Sequence, residues 1–112
     1  MNFYDKVHEM IRAFKETEEF KEYMKLKEKL NEDKEAYDKL KEFKEKQKNY
    51  QLQYIDGKQQ NEEDLNEMQN IYSIVIQNET SRKLLEIEMK INVMLADMQK
   101  IIGDALKDII DF

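Results

Sequence analysis

The sequence predicts an all-α protein, an antiparallel helical bundle of about five helices with a long C-terminal helix, oligomerising through helix packing. Three observations carry that expectation. Apolar residues recur three and four positions apart along nearly the whole chain, which is the mark of helices that each bury one stripe. The 112 residues include two glycines and no proline, too few to build the turns of a β-sandwich or a doubly wound α/β sheet. The composition, 39% charged and 40% hydrophobic, suits amphipathic helices with solvated outer faces. The length is that of one domain, so residues 1–112 are expected to form a single helical unit.

Each segment can be justified in turn. Asn2 is placed to cap a first helix whose stripe is Phe3, Val7, Met10, Ile11 and Phe14, with Asp5 favourably set in the first turn. Thr17, followed by Glu18 and Glu19, caps a second with Phe20, Tyr23, Met24, Leu26 and Leu30 as apolar members. Asn31-Glu32-Asp33 reads as a joint and a new acidic N-terminus. The third helix, about Asp33 to Ile55, is expected to bury Ala36, Leu40, Phe43, Tyr50 and Tyr54, with Gln47 at the seam. Glu35–Lys39 and Glu42–Lys46 pairs lace its outer face.

Asp56-Gly57-Lys58-Gln59-Gln60 is the clear loop, because Gly57 can take the positive φ that ends a helix. Asn61 caps a fourth helix with Glu62, Glu63 and Asp64 in its first turn and Leu65, Met68, Ile71, Tyr72, Val75 and Ile76 as its stripe. The fifth begins around Asn78 to Ser81 and repeats Leu84, Ile87, Ile91, Met94, Met98, Ile101 and Ala105, with Leu95 and Ile102 widening the stripe. Gly103 is expected to end or bend it, since glycine in a helix interior costs about 1 kcal/mol. Ala105, Leu106, Ile109, Ile110 and Phe112 form an amphipathic tail.

That last helix is longer than the body meant to shelter it. A compact chain of this size has a radius of gyration of about 13 Å, hence a diameter of roughly 34 Å. Residues 79 to 102 alone span ~36 Å at 1.5 Å per residue. The apolar stripe continues to the end, so another surface is needed over Ile91, Met94, Leu95, Met98, Ile101 and Ile102. These six are the expected oligomer interface, in a homodimer or a tetramer.

Several functions are disfavoured by composition and charge. The absence of cysteine removes disulfides, thiolate nucleophiles, zinc ribbons and cysteine-held iron–sulfur clusters. The longest strictly apolar run is Val93-Met94-Leu95-Ala96, far short of the roughly 20 residues of a bilayer span. Met1 to Lys6 lacks a basic region followed by an apolar core, so the expected location is cytoplasmic. Net charge is −6, and its excess is C-terminal. Residues 1–50 carry 13 basic and 13 acidic side chains, residues 51–112 carry 6 and 12. Lys21 to Lys48 holds ten lysines, but eight acids interleave with them, and a phosphate backbone requires an unbroken basic stripe. Direct nucleic-acid binding is therefore not expected. Nor is a membrane surface, because acids outnumber bases along the final helix.

Residues with chemistry are few. His8 is the only histidine, and Ser73 and Ser81 are the only serines, neither in a nucleophile context. Asp5-x-x-His8 matches half of a di-iron helix motif, which needs a second copy and two further glutamates. An enzyme or metal site built from carboxylates and this histidine at an oligomer interface is the alternative to a non-enzymatic adaptor. No catalytic, cofactor or metal residue is assigned.

The opening Asn2-Phe3-Tyr4-Asp5, the Glu18-Glu19-Phe20 helix start, the Asn31 to Asp33 joint, the long third helix, the polar loop and the final Met98-Gln99-Lys100-Ile101-Ile102 together resemble the YlbF/YmcA family of small bacterial proteins, most closely its YheA-like branch. The resemblance implies an all-helical, self-associating, cytoplasmic protein of Gram-positive bacteria. It also implies a regulatory or scaffolding adaptor with heterologous protein partners, since family members are linked to mRNA processing, sporulation, competence and biofilm control. Iron–sulfur binding found in relatives depends on cysteines, and without them that property does not carry over.

Overall fold

A computed structural model describes residues 2–57 and 61–110, and among them every regular element is an α-helix. They are α1 (Phe3–Lys15), α2 (Glu18–Asn31), α3 (Lys34–Ile55), α4 (Glu62–Val75), α5 (Glu79–Ala105) and the short α6 (Lys107–Ile110). The helix starts follow the caps read from the sequence. The Asn2 side chain accepts from the Tyr4 amide at 2.7 Å, Asp33 from Ala36 at 3.1 Å, and Asn61 from Glu63 at 2.8 Å. Thr17 Oγ1 accepts from the Phe20 amide at 3.2 Å and donates to the Phe14 carbonyl at 2.8 Å, so one hydroxyl ends α1 and starts α2. Gly57 has φ 72°, the left-handed conformation a side chain would oppose, and closes α3.

The chain divides into two compact units. In the unit Lys25–Leu84, α3 and α4 form an antiparallel hairpin. Its direction is read from the pairs that join the two helices. Gln53 donates to Asp64 at 2.9 Å, Lys46 to Glu67 at 3.1 Å, and the Phe43 and Tyr72 rings meet at 5.4 Å, so residue numbers fall on one helix as they rise on the other. Leu30, Leu40, Phe43, Ile71, Val75 and Leu84 are this unit's buried apolar core. Fully burying side chains of this kind stabilises a fold by about 1.5–3 kcal/mol each. In the unit Met1–Met24 with Leu85–Phe112, the rings of Phe14, Phe20 and Tyr23 cluster at the α1–α2 joint, with centroids 5.8 and 6.3 Å apart, and Ile87 is buried.

Four expectations are corrected. Gly103 does not end the final long helix, which runs through it to Ala105; its backbone is not in the left-handed region, and no neighbour lies within 4 Å of where a Cβ would sit. Tyr54 is exposed, because beyond Phe43 the inner face of α3 passes through Lys46, Tyr50 and Gln53. The far half of the hairpin is held by polar pairs where an apolar stripe was expected. Lys39 pairs with Glu42 and Lys46 with Glu67 in place of the i,i+4 contacts read from spacing, although the charge of Glu42 still acts on Lys46. Finally, Phe3, Met10, Ile11, Met24 and Tyr72 are exposed although each lies on its helix's apolar stripe. Phe112, expected in the amphipathic tail, lies outside the described residues, as do Lys58 to Gln60 of the loop.

Candidate interaction surface

The six residues singled out from the sequence all lie on α5, beyond its buried start. Leu84 and Ile87 are 3% and 4% exposed and anchor the helix. After them Ile91, Met94, Leu95 and Met98 are only half-buried, and Ile101 and Ile102 are 69% and 41% exposed. From Glu88 to Ile109 no side chain is buried. Leu106 and Ile109 extend the uncovered row. On α1 the pattern is the same, since Val7 and Phe14 are half-buried and no residue is buried.

Spacing alone also hid part of the apolar surface. Met89 and Val93 are 69% and 60% exposed. They stand one turn apart on the opposite face of α5, so this helix is apolar on two sides. The signal was available as an i,i+4 pair, but the stronger heptad-like row masked it.

The polar candidates are dispersed. Asp5 and His8 share a side of α1 and both are exposed. Among the described residues no group of three or more His, Cys, Asp or Glu side chains is arranged to hold a metal ion. Ser73 is exposed and donates to the Asn70 carbonyl at 2.7 Å. Ser81 is 1% exposed; its amide donates to the Asn78 side chain at 2.9 Å, which caps α5, while its hydroxyl has no hydrogen-bond partner. A cleft of about 280 Å³ lies beside it, between the first turns of α3 and the α4–α5 turn, with Asp33, Glu35 and Lys39 on one side and Ile74, Gln77 and Asn78 on the other. Its lining mixes both charges with amide and apolar groups, so it selects no ligand type.

Two ionisable groups are shifted by partners. The hydrogen bond from Lys83 at 2.9 Å, with that ammonium's charge, holds the Glu79 carboxyl below its ordinary value. Glu67 raises the Lys46 ammonium in the same way. Both pairs are solvated ties between helical residues, and such ties contribute little to stability. Among the described residues no helix is long and apolar enough to cross a membrane.

Comparison with known proteins finds relatives along nearly the whole chain. A family model described as control of competence regulator ComK, YlbF/YmcA, matches residues 3–107. A UPF0342 protein of Alkalihalophilus pseudofirmus is 34% identical over 108 residues, covering 96% of this chain and 92% of its own. The UPF0342 protein of Shouchella clausii shows the same identity and coverage. That of Desulfitobacterium hafniense is 31% identical over 116 residues, covering 98% and 89%. No solved structure matches.

Proposed function

The chain belongs to the YlbF/YmcA family, and with that family's link to competence regulation as premise we propose that it is a non-enzymatic regulatory adaptor acting through protein–protein contacts. It works in the cytoplasm as a homodimer or tetramer, and its 112 residues act as one functional domain. Its product is a surface presented to other proteins, and it needs neither cofactor nor direct contact with nucleic acid. By the same family relation, the processes it would influence include mRNA processing, sporulation and biofilm formation.

One observation carries this reading: twenty-two consecutive residues, Glu88 to Ile109, keep an apolar row in a helical rhythm while none of their side chains is buried. Exposed contiguous apolar rows on a folded protein mark surfaces that meet other proteins. Ile91, Met94, Leu95, Met98, Ile101 and Ile102 form the self-contact in this proposal, and other faces remain for heterologous partners.

The test has two arms. Sedimentation at micromolar concentration is expected to return a dimer or tetramer, and a monomer would overturn the self-contact. In-cell crosslinking followed by mass spectrometry is expected to recover foreign proteins joined to this chain alongside self-links. Recovery of self-links alone would overturn the adaptor role while leaving self-association standing.

A further inference from the structure

The α3–α4 hairpin is built differently at its two ends. At its base, Leu40 and Phe43 of α3 and Ile71 and Val75 of α4 are buried, and the Phe43 and Tyr72 rings meet at 5.4 Å. Beyond Phe43 on one helix and before Ile71 on the other, no side chain is buried among the described residues. The ties there are polar. The Lys46 ammonium pairs with Glu67 at 3.1 Å, the Gln53 amide donates to Asp64 at 2.9 Å, and the Asn61 backbone amide donates to the Gln53 oxygen at 3.4 Å. Among them lies a cleft of about 260 Å³ lined by Lys46, Asn49, Tyr50, Gln53 and Asp64, roomy and polar enough to admit water.

Opening the base would expose four buried apolar side chains, whereas solvated ion pairs and amide bonds exchange for bonds to water at little cost. A segment held only by such ties opens before the rest of its unit. Charge makes one residue decisive. The Lys46 ammonium lies in the field of three carboxylates, Glu67 and Asp64 on α4 and Glu42 one turn back on α3, and each favours its charged form. Glu62 and Glu63 add further acid to the start of α4. Without that cation, the facing surfaces would set like charges against one another.

We infer that the far end of the hairpin, residues 46–55 of α3 with 62–68 of α4, opens as one unit while the base stays closed, and that the Lys46 ammonium is the latch that holds it shut. This is a local equilibrium within Lys25–Leu84 and needs no second copy.

Amide hydrogen exchange on the full chain at low salt tests this. Relative to their unfolded rates, amides 50–55 and 66–68 are expected to exchange about tenfold or more faster than amides 40–44 and 74–76. Lys46→Glu replaces an attraction by repulsion from Glu42, Asp64 and Glu67. It should speed both far stretches by the same factor, about tenfold, and leave the base unchanged. Reversing the pair, Lys46→Glu/Glu67→Lys, should restore most of the protection. In about 1 M sodium chloride, where the screening length is about 3 Å, the loss in the single variant should shrink to a few-fold or less.

A far end protected to within tenfold of the base overturns the separate opening. An equal loss at the base in Lys46→Glu overturns it too, because the hairpin would then open as a whole. If Lys46→Glu leaves 66–68 unmoved, its effect is confined to α3 and Lys46 is no latch between helices. A loss that the reversed pair does not rescue, or that salt does not shrink, overturns the latch as well, because charge would not be its cause.

Discussion

Replacing Ile101 by aspartate separates the folding of the single chain from its assembly. Ile101 is 69% exposed, so roughly a third of the side chain's burial is present in one copy. Fully burying isoleucine is worth about 1.5–3 kcal/mol, and a third of that puts the cost to the isolated fold at ~0.5–1 kcal/mol. If a second copy covers the rest, each protomer loses a further ~1–2 kcal/mol of apolar burial. Each also brings an unpaired carboxylate, or its protonated form, into an apolar contact at about 1–3 kcal/mol. A symmetric dimer contains the site twice, so the sum is roughly 4–10 kcal/mol, or a thousandfold and upward in dissociation constant. Met89→Asp is the matched control, since Met89 is also 69% exposed and lies on the opposite face of α5. Sedimentation velocity of both variants at equal concentration reads the difference. Ile101→Asp should sediment as a monomer and Met89→Asp as the parent assembly. The reverse result would refute the assignment and move the self-contact to the Met89–Val93 face.

Four further outcomes are expected. Phe43→Ala removes a 6%-exposed ring from the α3–α4 hairpin and should lower stability by about 3–5 kcal/mol, read as a lower midpoint in denaturant. Ser81→Ala should raise the melting temperature, because a buried hydroxyl without a partner carries a desolvation penalty of about 1–3 kcal/mol; a fall would show that the hydroxyl is hydrogen-bonded after all. Gly103→Ala should also stabilise, by about 1 kcal/mol, since the backbone is helical and nothing lies within 4 Å of the added methyl; weaker assembly in that variant would instead place a close neighbour there. The Lys83 tie depresses the Glu79 carboxyl, so its contribution is present above the ordinary carboxylate range and is lost as pH falls through the depressed value. Glu79→Gln should remove that small acid-side slope, measured as melting temperature against pH.

Much of the local structure was legible because helix caps are short-range chemistry. A side-chain oxygen reaching an amide two or three residues on depends on nothing distant, and Asn2, Thr17, Asp33 and Asn61 all start helices where their spacing places them. The glycine at 57 is legible for the same reason, since a positive φ is a property of one residue. Legibility ended where a helix stripe had to be turned into a contact. Periodicity marks which face of α3 is apolar, but the inner positions of its second half are Lys46, Tyr50 and Gln53, because α4 presents Glu67 and Asp64 to them. A sequence pattern cannot show that an opposing helix offers charge.

By itself, then, the sequence determined the all-helical class, the starts of the helices, the family, and the apolar rhythm of the row on α5. Tertiary structure alone decided how burial is shared: Leu84 and Ile87 are covered, and the same row about four turns later at Ile101 and Ile102 is open. Both halves of the row share one rhythm and one composition, so nothing local distinguishes them. The difference lies in which neighbouring element reaches each turn, and burial free energy follows the area a neighbour removes from water.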